Sequence, residues 1–122
     1  MVTGIFVYRL RADADIDEYQ QMAFRMYELV SGDPAFGFVS LNTFEAADGQ
    51  SGLIAEFESA EGVAAWSRDP EHLAMQERGR TEFYESYWGA EAIRRYEFDR
   101  VGGRRLVQEG ERLMPPPATT PT

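Results

Sequence analysis

The sequence predicts an α+β domain built on one antiparallel sheet. Two observations carry this reading. Apolar and polar residues follow one another as strand, helix, strand, strand, helix, strand. The strand-like runs also end at Gly, Pro, Asp and Ser punctuation, as elements of a small sheet domain do.

The first run, Thr3 to Arg11, is rich in β-branched and aromatic residues and predicts a strand. From Ile16 to Val30 the apolar positions Ile16, Tyr19, Ala23, Met26, Tyr27 and Val30 recur at helical spacing. Ser31-Gly32-Asp33-Pro34 stops that helix. Phe36 to Glu45 predicts a second strand, Asp48-Gly49 a hairpin turn, and Gly52 to Glu58 a third strand. Ser59 is a suitable cap for a short helix through Trp66. Asp69-Pro70 then opens a longer helix reaching Tyr87, with Asp69 as N-cap and Pro70 at the first helical position. Trp88 to Arg100 predicts the last strand. This β-α-β-β-α-β order is the ferredoxin-like, or split βαβ, pattern. The domain is expected over 1–100. Beyond it, Gly102-Gly103 and the closing PPPATTPT mark 101–122 as a Pro-rich tail, mobile or draped on a partner.

Composition removes several chemistries. The chain has 122 residues and a net charge of −9, which argues against nucleic-acid and anionic-membrane partners. It has no cysteine, so thiolate nucleophiles and Cys-ligated metals are excluded. All 12 basic residues are arginine, so no lysine is present for Schiff-base chemistry. One histidine cannot build a His-rich metal site within a protomer. No signal-peptide pattern and no apolar run of spanning length is present, so a cytoplasmic protein is expected.

The strands are too apolar for a sheet with one wet face. Ile5-Phe6-Val7-Tyr8, Phe38-Val39 with Leu41, and Leu53-Ile54-Ala55 carry apolar side chains on both faces. The second face therefore predicts a homodimer with sheets packed face to face into a dimeric α/β barrel, the alternative being a single-sheet monomer with a few exposed apolar side chains. Phe6, Tyr8, Val39 and Leu41 are representative residues that two helices cannot all cover.

The Asp69–Tyr87 helix holds the only histidine, His72, in its first turn. The helix dipole there disfavours imidazolium, which leaves a neutral ring able to accept a proton. On a wheel at about 100° per residue, His72, Leu73, Gln76, Gly79, Arg80, Phe83, Tyr84 and Tyr87 share one face. That face is expected to turn inward. His72 suits a catalytic base or a structural cap. Arg80 suits substrate binding or an internal ion pair, and Trp66 a substrate platform or core. Asn42 suits an oxyanion donor or a strand edge. Tyr8 and Tyr84 suit phenolate donors or core cover.

The run AW-x-x-x-PEHLA-x-Q-x-x-GR-x-x-FY, from Ala65 to Tyr84, resembles the antibiotic biosynthesis monooxygenase (ABM) family of the dimeric α/β-barrel superfamily. AEFESAEG and YESYWGAEAIRRYEF support the resemblance, which covers about residues 3 to 100. It implies a monooxygenase that needs no flavin, haem or metal and converts polyketide-type phenols or anthrones to quinones, with molecular oxygen as co-substrate. Haem-degrading members carry a tryptophan where this chain has Phe57, and an iron-ligating histidine where it has Met75. The resemblance therefore points away from haem.

In the implied reaction a base deprotonates an electron-rich aromatic substrate. The anion passes one electron to oxygen, the radicals combine, and loss of water from the peroxide leaves a quinone. The candidate catalytic residues are His72 as base, with Arg80 and Asn42 stabilising the anion. Trp66, Phe57, Tyr8, Gln76, Phe83 and Tyr84 are the candidate substrate-binding residues. The same pocket and base also suit a non-oxidative polyketide cyclase or isomerase. A third reading is a non-catalytic small-molecule-binding accessory protein.

Overall fold

The structure is a computed structural model and describes residues 1–92, 95–98 and 104–108. Strand β1 (Val2–Leu10) leads to helix α1 (Ile16–Gly32) and a 3₁₀ turn (Pro34–Phe36). Strands β2 (Phe38–Glu45) and β3 (Ser51–Phe57) follow, then helices α2 (Ala60–Ser67) and α3 (Pro70–Arg78). A π-helical turn (Gly79–Phe83) passes α3 into β4 (Tyr84–Ala92). The four strands form one antiparallel sheet in the order β2-β3-β1-β4, the ferredoxin-like arrangement.

Local chemistry accounts for the boundaries. Asp15 caps α1 by accepting the Glu18 N–H at 3.0 Å, and Asp33 accepts from Ala35 N at 2.9 Å at the 3₁₀ turn. Ser59 accepts from Gly62 N at 3.1 Å and Asp69 from His72 N at 3.0 Å, which starts α2 and α3 as the sequence predicts. Gly49, at φ 89°, supplies the left-handed residue of the β2–β3 turn.

Two expectations are corrected. The long helix does not reach Tyr87: α3 ends at Arg78, and Tyr84 to Ala92 is strand paired with β1. Tyr84, Tyr87 and Trp88 fit helical spacing, but pairing Leu10 with Tyr84, Tyr8 with Tyr87 and Val7 with Trp88 satisfies the backbone in the sheet. The expected strand Trp88–Arg100 is divided. Its front half belongs to β4, and β5 (Arg95–Phe98) pairs antiparallel with β6 (Arg104–Gln108). Strand β6 falls inside the segment 101–122 expected as a tail, and residues 109–122 lie outside the described residues.

The sequence leaves open which strand residues occupy which sheet face, and the register assigns them. Phe6 and Tyr8 pack on the helix side, in a cluster around Tyr19, Met75, Phe83 and Tyr84. Leu41 pairs with Ala55, which packs in a second helix-side cluster around Val30, Phe36 and Phe57. Val39 sits at a bulge between Phe38 and Ser40 and is exposed. The face turned from the helices instead carries Ile5, Val7, Ile54, Phe44, Trp88 and Ala90. Register shows this: Ile5 opposes Ile54 and Ala90, while Val7 opposes Gly52 and Trp88. The Phe44 ring covers Gly52 so closely that a Cβ there would collide with it. Phe44 and Trp88 are exposed in the single chain.

Candidate active site

Two aromatic clusters lie between helices and sheet, and α3 borders both. At its N-terminal end the His72 ring stacks on Trp66, with centroids 4.0 Å apart and planes 13° from parallel. Trp66 in turn meets Phe36 edge-on at 5.1 Å. The tight α2–α3 junction makes this possible, because Asp69 both caps α3 and donates its own N–H to the Trp66 carbonyl at 3.1 Å. The same carbonyl lies 2.9 Å from His72 Nδ1. A carbonyl oxygen only accepts, so Nδ1 carries the hydrogen, and in the neutral ring Nε2 holds the free lone pair. Burial holds His72 below its ordinary value of 6.5; the Trp66 carbonyl and the Asp69 carboxylate oppose this with smaller effect. The ring is thus a neutral, oriented proton acceptor at neutral pH.

At the other end of α3, the π-helical turn carries Phe83 into the core and starts β4 at Tyr84. The Tyr84 ring passes over Gly79, where a Cβ would collide with it. Its hydroxyl lies 3.0 Å from that of Tyr19 on α1. Tyr8 packs on both rings, with centroids 5.6 Å from Tyr19 and 5.3 Å from Tyr84. Phe6 and Tyr87 complete the aromatic floor, 5.5 Å and 5.4 Å from Tyr84. Burial pushes the Tyr84 phenol up to about 12 and the Tyr19 phenol well above its usual range.

The predicted site residues therefore separate into groups. Tyr8, Phe83 and Tyr84 stand together around Tyr19, while Trp66 and Phe57 belong to the second cluster with His72 against Trp66. Gln76, Arg80 and Leu73 are exposed rather than turned inward, and Arg80 pairs with Glu77 at the surface. Asn42 is exposed too; it opposes Ile54, on the sheet face away from the helices. The arginine that does reach inward is Arg78. It meets Glu18, Glu82 and the Met22 sulfur, and its guanidinium lies 5.2 Å from the Phe83 ring centre. Tyr19 appeared in the sequence only as one apolar position of a helix; its hydroxyl contact with Tyr84 crosses 65 residues of chain. Among the described residues, no group of three His, Asp or Glu side chains is placed to hold a metal ion.

Sheet order and helix placement define a ferredoxin-like protein with the fold of the antibiotic biosynthesis monooxygenases. The chain belongs to one family with the uncharacterized protein YqjZ of Bacillus subtilis (strain 168), to which it is 34% identical over 91 residues, 75% of this chain and 72% of YqjZ. No family model matches it. SnoaB, a cofactor-independent oxygenase from Streptomyces nogalater, superposes with a TM-score of 0.63 at 16% identity, over 77% of this chain and 92% of SnoaB. An antibiotic biosynthesis monooxygenase superposes with a TM-score of 0.63 at 12% identity, over 75% of this chain and 96% of that one. A dimeric ferredoxin-like protein of unknown function from Thermobifida fusca superposes with a TM-score of 0.58 at 14% identity, over 75% and 88%.

Proposed function

We propose that the protein is a cofactor-independent monooxygenase that oxidises a polycyclic phenol or anthrone toward a quinone, acting as a homodimer. The observation that carries this reading is the His72 geometry: Nδ1–H is fixed on the Trp66 carbonyl, so Nε2 is the atom left to take a proton. The reading is supported by the fold shared with SnoaB and by the aromatic lining beside α3.

His72 Nε2 removes a proton from the substrate. The resulting anion gives one electron to oxygen, and the superoxide and substrate radical join in a new C–O bond. Cleavage of the O–O bond with loss of water leaves a carbonyl, so an anthrone and one oxygen molecule yield an anthraquinone and water. Aromatic walls exclude bulk water and keep the radical pair together. Trp66, Phe57, Tyr8, Phe83 and Tyr84 supply those walls. The exposed Gln76, Arg80 and Asn42 have no part in this assignment.

The homodimer closes the outer sheet face, where Ile5, Val7, Ile54, Phe44 and Trp88 form a continuous apolar surface. Oxygen uptake with 1,8-dihydroxyanthrone tests the reaction. One oxygen consumed per quinone formed is expected. Equal rates with and without the protein, or a product formed without oxygen, would exclude the oxygenase.

A further inference from the structure

We propose that Tyr8, Tyr19 and Tyr84 form a receptor for an anionic oxygen of an aromatic ligand, assembled by the π-helical turn that seats Tyr84 over Gly79. The Tyr19 and Tyr84 hydroxyls share one hydrogen bond at 3.0 Å, so whichever of them donates, the other keeps an O–H hydrogen that this bond does not use. The third phenol, Tyr8, is close enough to raise the Tyr19 ionisation further. Among the described residues, no carboxylate, carbonyl or imidazole is hydrogen-bonded to any of the three. The cluster is an array of donors whose acceptors are only its own oxygens.

Such an array discriminates between ligand states. In an apolar surround an O–H donor stabilises a negative oxygen far more than a neutral one. Burial keeps Tyr19 and Tyr84 protonated, so they remain donors through the whole range in which a naphthol or anthrone ionises. The surrounding rings, Phe6, Tyr87, Phe83 and Met75, suit a flat aromatic body. Phe6, Tyr8 and Tyr87 are only half-buried, so this helix-side floor of the sheet is not sealed by the protein itself. Gly79 is the positioning element. Any side chain there would displace the Tyr84 ring and separate the hydroxyl pair without removing a polar group.

The inference deepens the oxygenase reading, since stabilising the substrate anion is what makes electron transfer to oxygen feasible, but its test uses no oxygen chemistry. The probe is 2-naphthol, whose neutral and anionic forms differ in absorption. Bound to the protein, its ionisation midpoint is expected to fall by at least about one unit, a tenfold preference for the anion. Tyr19→Phe and Tyr84→Phe should each return at least half of that shift, and Gly79→Ala should act in the same direction. Binding of naphthalene, which lacks the hydroxyl, should be unchanged in the two phenylalanine variants. A merely structural pair would lower the melting temperature in Tyr19→Phe and leave the midpoint where it was. An unshifted midpoint in the parent protein, no effect of either phenylalanine variant in a folded protein, or failure to bind 2-naphthol overturns the proposal. A shifted midpoint without oxygen uptake on 1,8-dihydroxyanthrone would remove the oxygenase and keep the receptor. Oxygen uptake without a shifted midpoint would do the reverse.

Discussion

His72 and Trp66 are joined twice, by ring stacking at 4.0 Å and by a hydrogen bond of 2.9 Å from the imidazole Nδ1–H to the Trp66 carbonyl. Either contact alone would leave the imidazole a degree of freedom. The stack fixes the plane of the ring and the carbonyl fixes which edge carries the hydrogen.

Under the proposed oxygenase reading, loss of His72 should be costly for turnover and cheap for folding. His72→Ala is expected to lower turnover of 1,8-dihydroxyanthrone by roughly 10²–10⁴-fold. His72→Gln should not restore it, because an amide takes no proton. The acidic limb of the rate profile should lie below 6.5, the direction in which burial moves the imidazole. Near-full activity of His72→Ala in a folded dimer would make the histidine structural.

The same group links stability to pH. With its folded value below the unfolded value of 6.5, His72 takes up a proton more readily in the unfolded chain. Its contribution is complete above 6.5, falls as pH drops from there toward the folded value, and is constant below it. Melting curves between pH 5 and 8 should therefore show a loss on the acid side that is reduced in His72→Gln. An equal slope in the variant would assign the loss to other groups.

The outer sheet face makes a separate test. In the proposed homodimer Ile54→Asp or Val7→Asp would bury an unpaired charge between the sheets and should yield monomers or aggregates in sedimentation. Leu73→Asp, on the exposed face of α3, should leave the oligomeric state alone. A parent protein sedimenting as a monomer at micromolar concentration would rule out the dimer.

The two arginines that flank Gly79 should behave differently. Arg78→Ala removes contacts to Glu18, Glu82, Met22 and the Phe83 ring, which tie α3 and the π-helical turn to α1, and should lower the melting temperature. Arg80→Ala removes only a surface pair with Glu77 and should leave both melting and turnover unchanged. A larger thermal loss for Arg80→Ala would reverse the assignment of which arginine faces inward.

The reason that inversion was not legible lies in Tyr84 and Tyr87. Element order, the caps Ser59 and Asp69, and the Asp48-Gly49 turn are local signals, and each appears where the sequence places it. The end of α3 is not local. Residues beyond Phe83 are aromatic at spacings that suit a helix, yet β1 claims them as a strand. Counted as helical, they rotate the apparent inner face by roughly a fifth of a turn, toward Gln76 and Arg80, at about 100° per residue. Without them the inner face is Met75, Gly79 and His72, with Arg78 at its margin. The Tyr19–Tyr84 contact was hidden for a similar reason, since it depends on how α1 lies over β4.

Helix α3 also acts as a spacer of fixed length. Its nine residues, at about 1.5 Å per residue, make a rod of roughly 13 Å with His72 near one end and the Gly79–Tyr84 contact just beyond the other. A loop would let these two groups drift independently, whereas a helix moves them together. One inserted or deleted residue between His72 and Gly79 would change their separation and turn one relative to the other by about 100°. The distance and phase between the proton acceptor and the phenol pair are thus written into the length of a single helix.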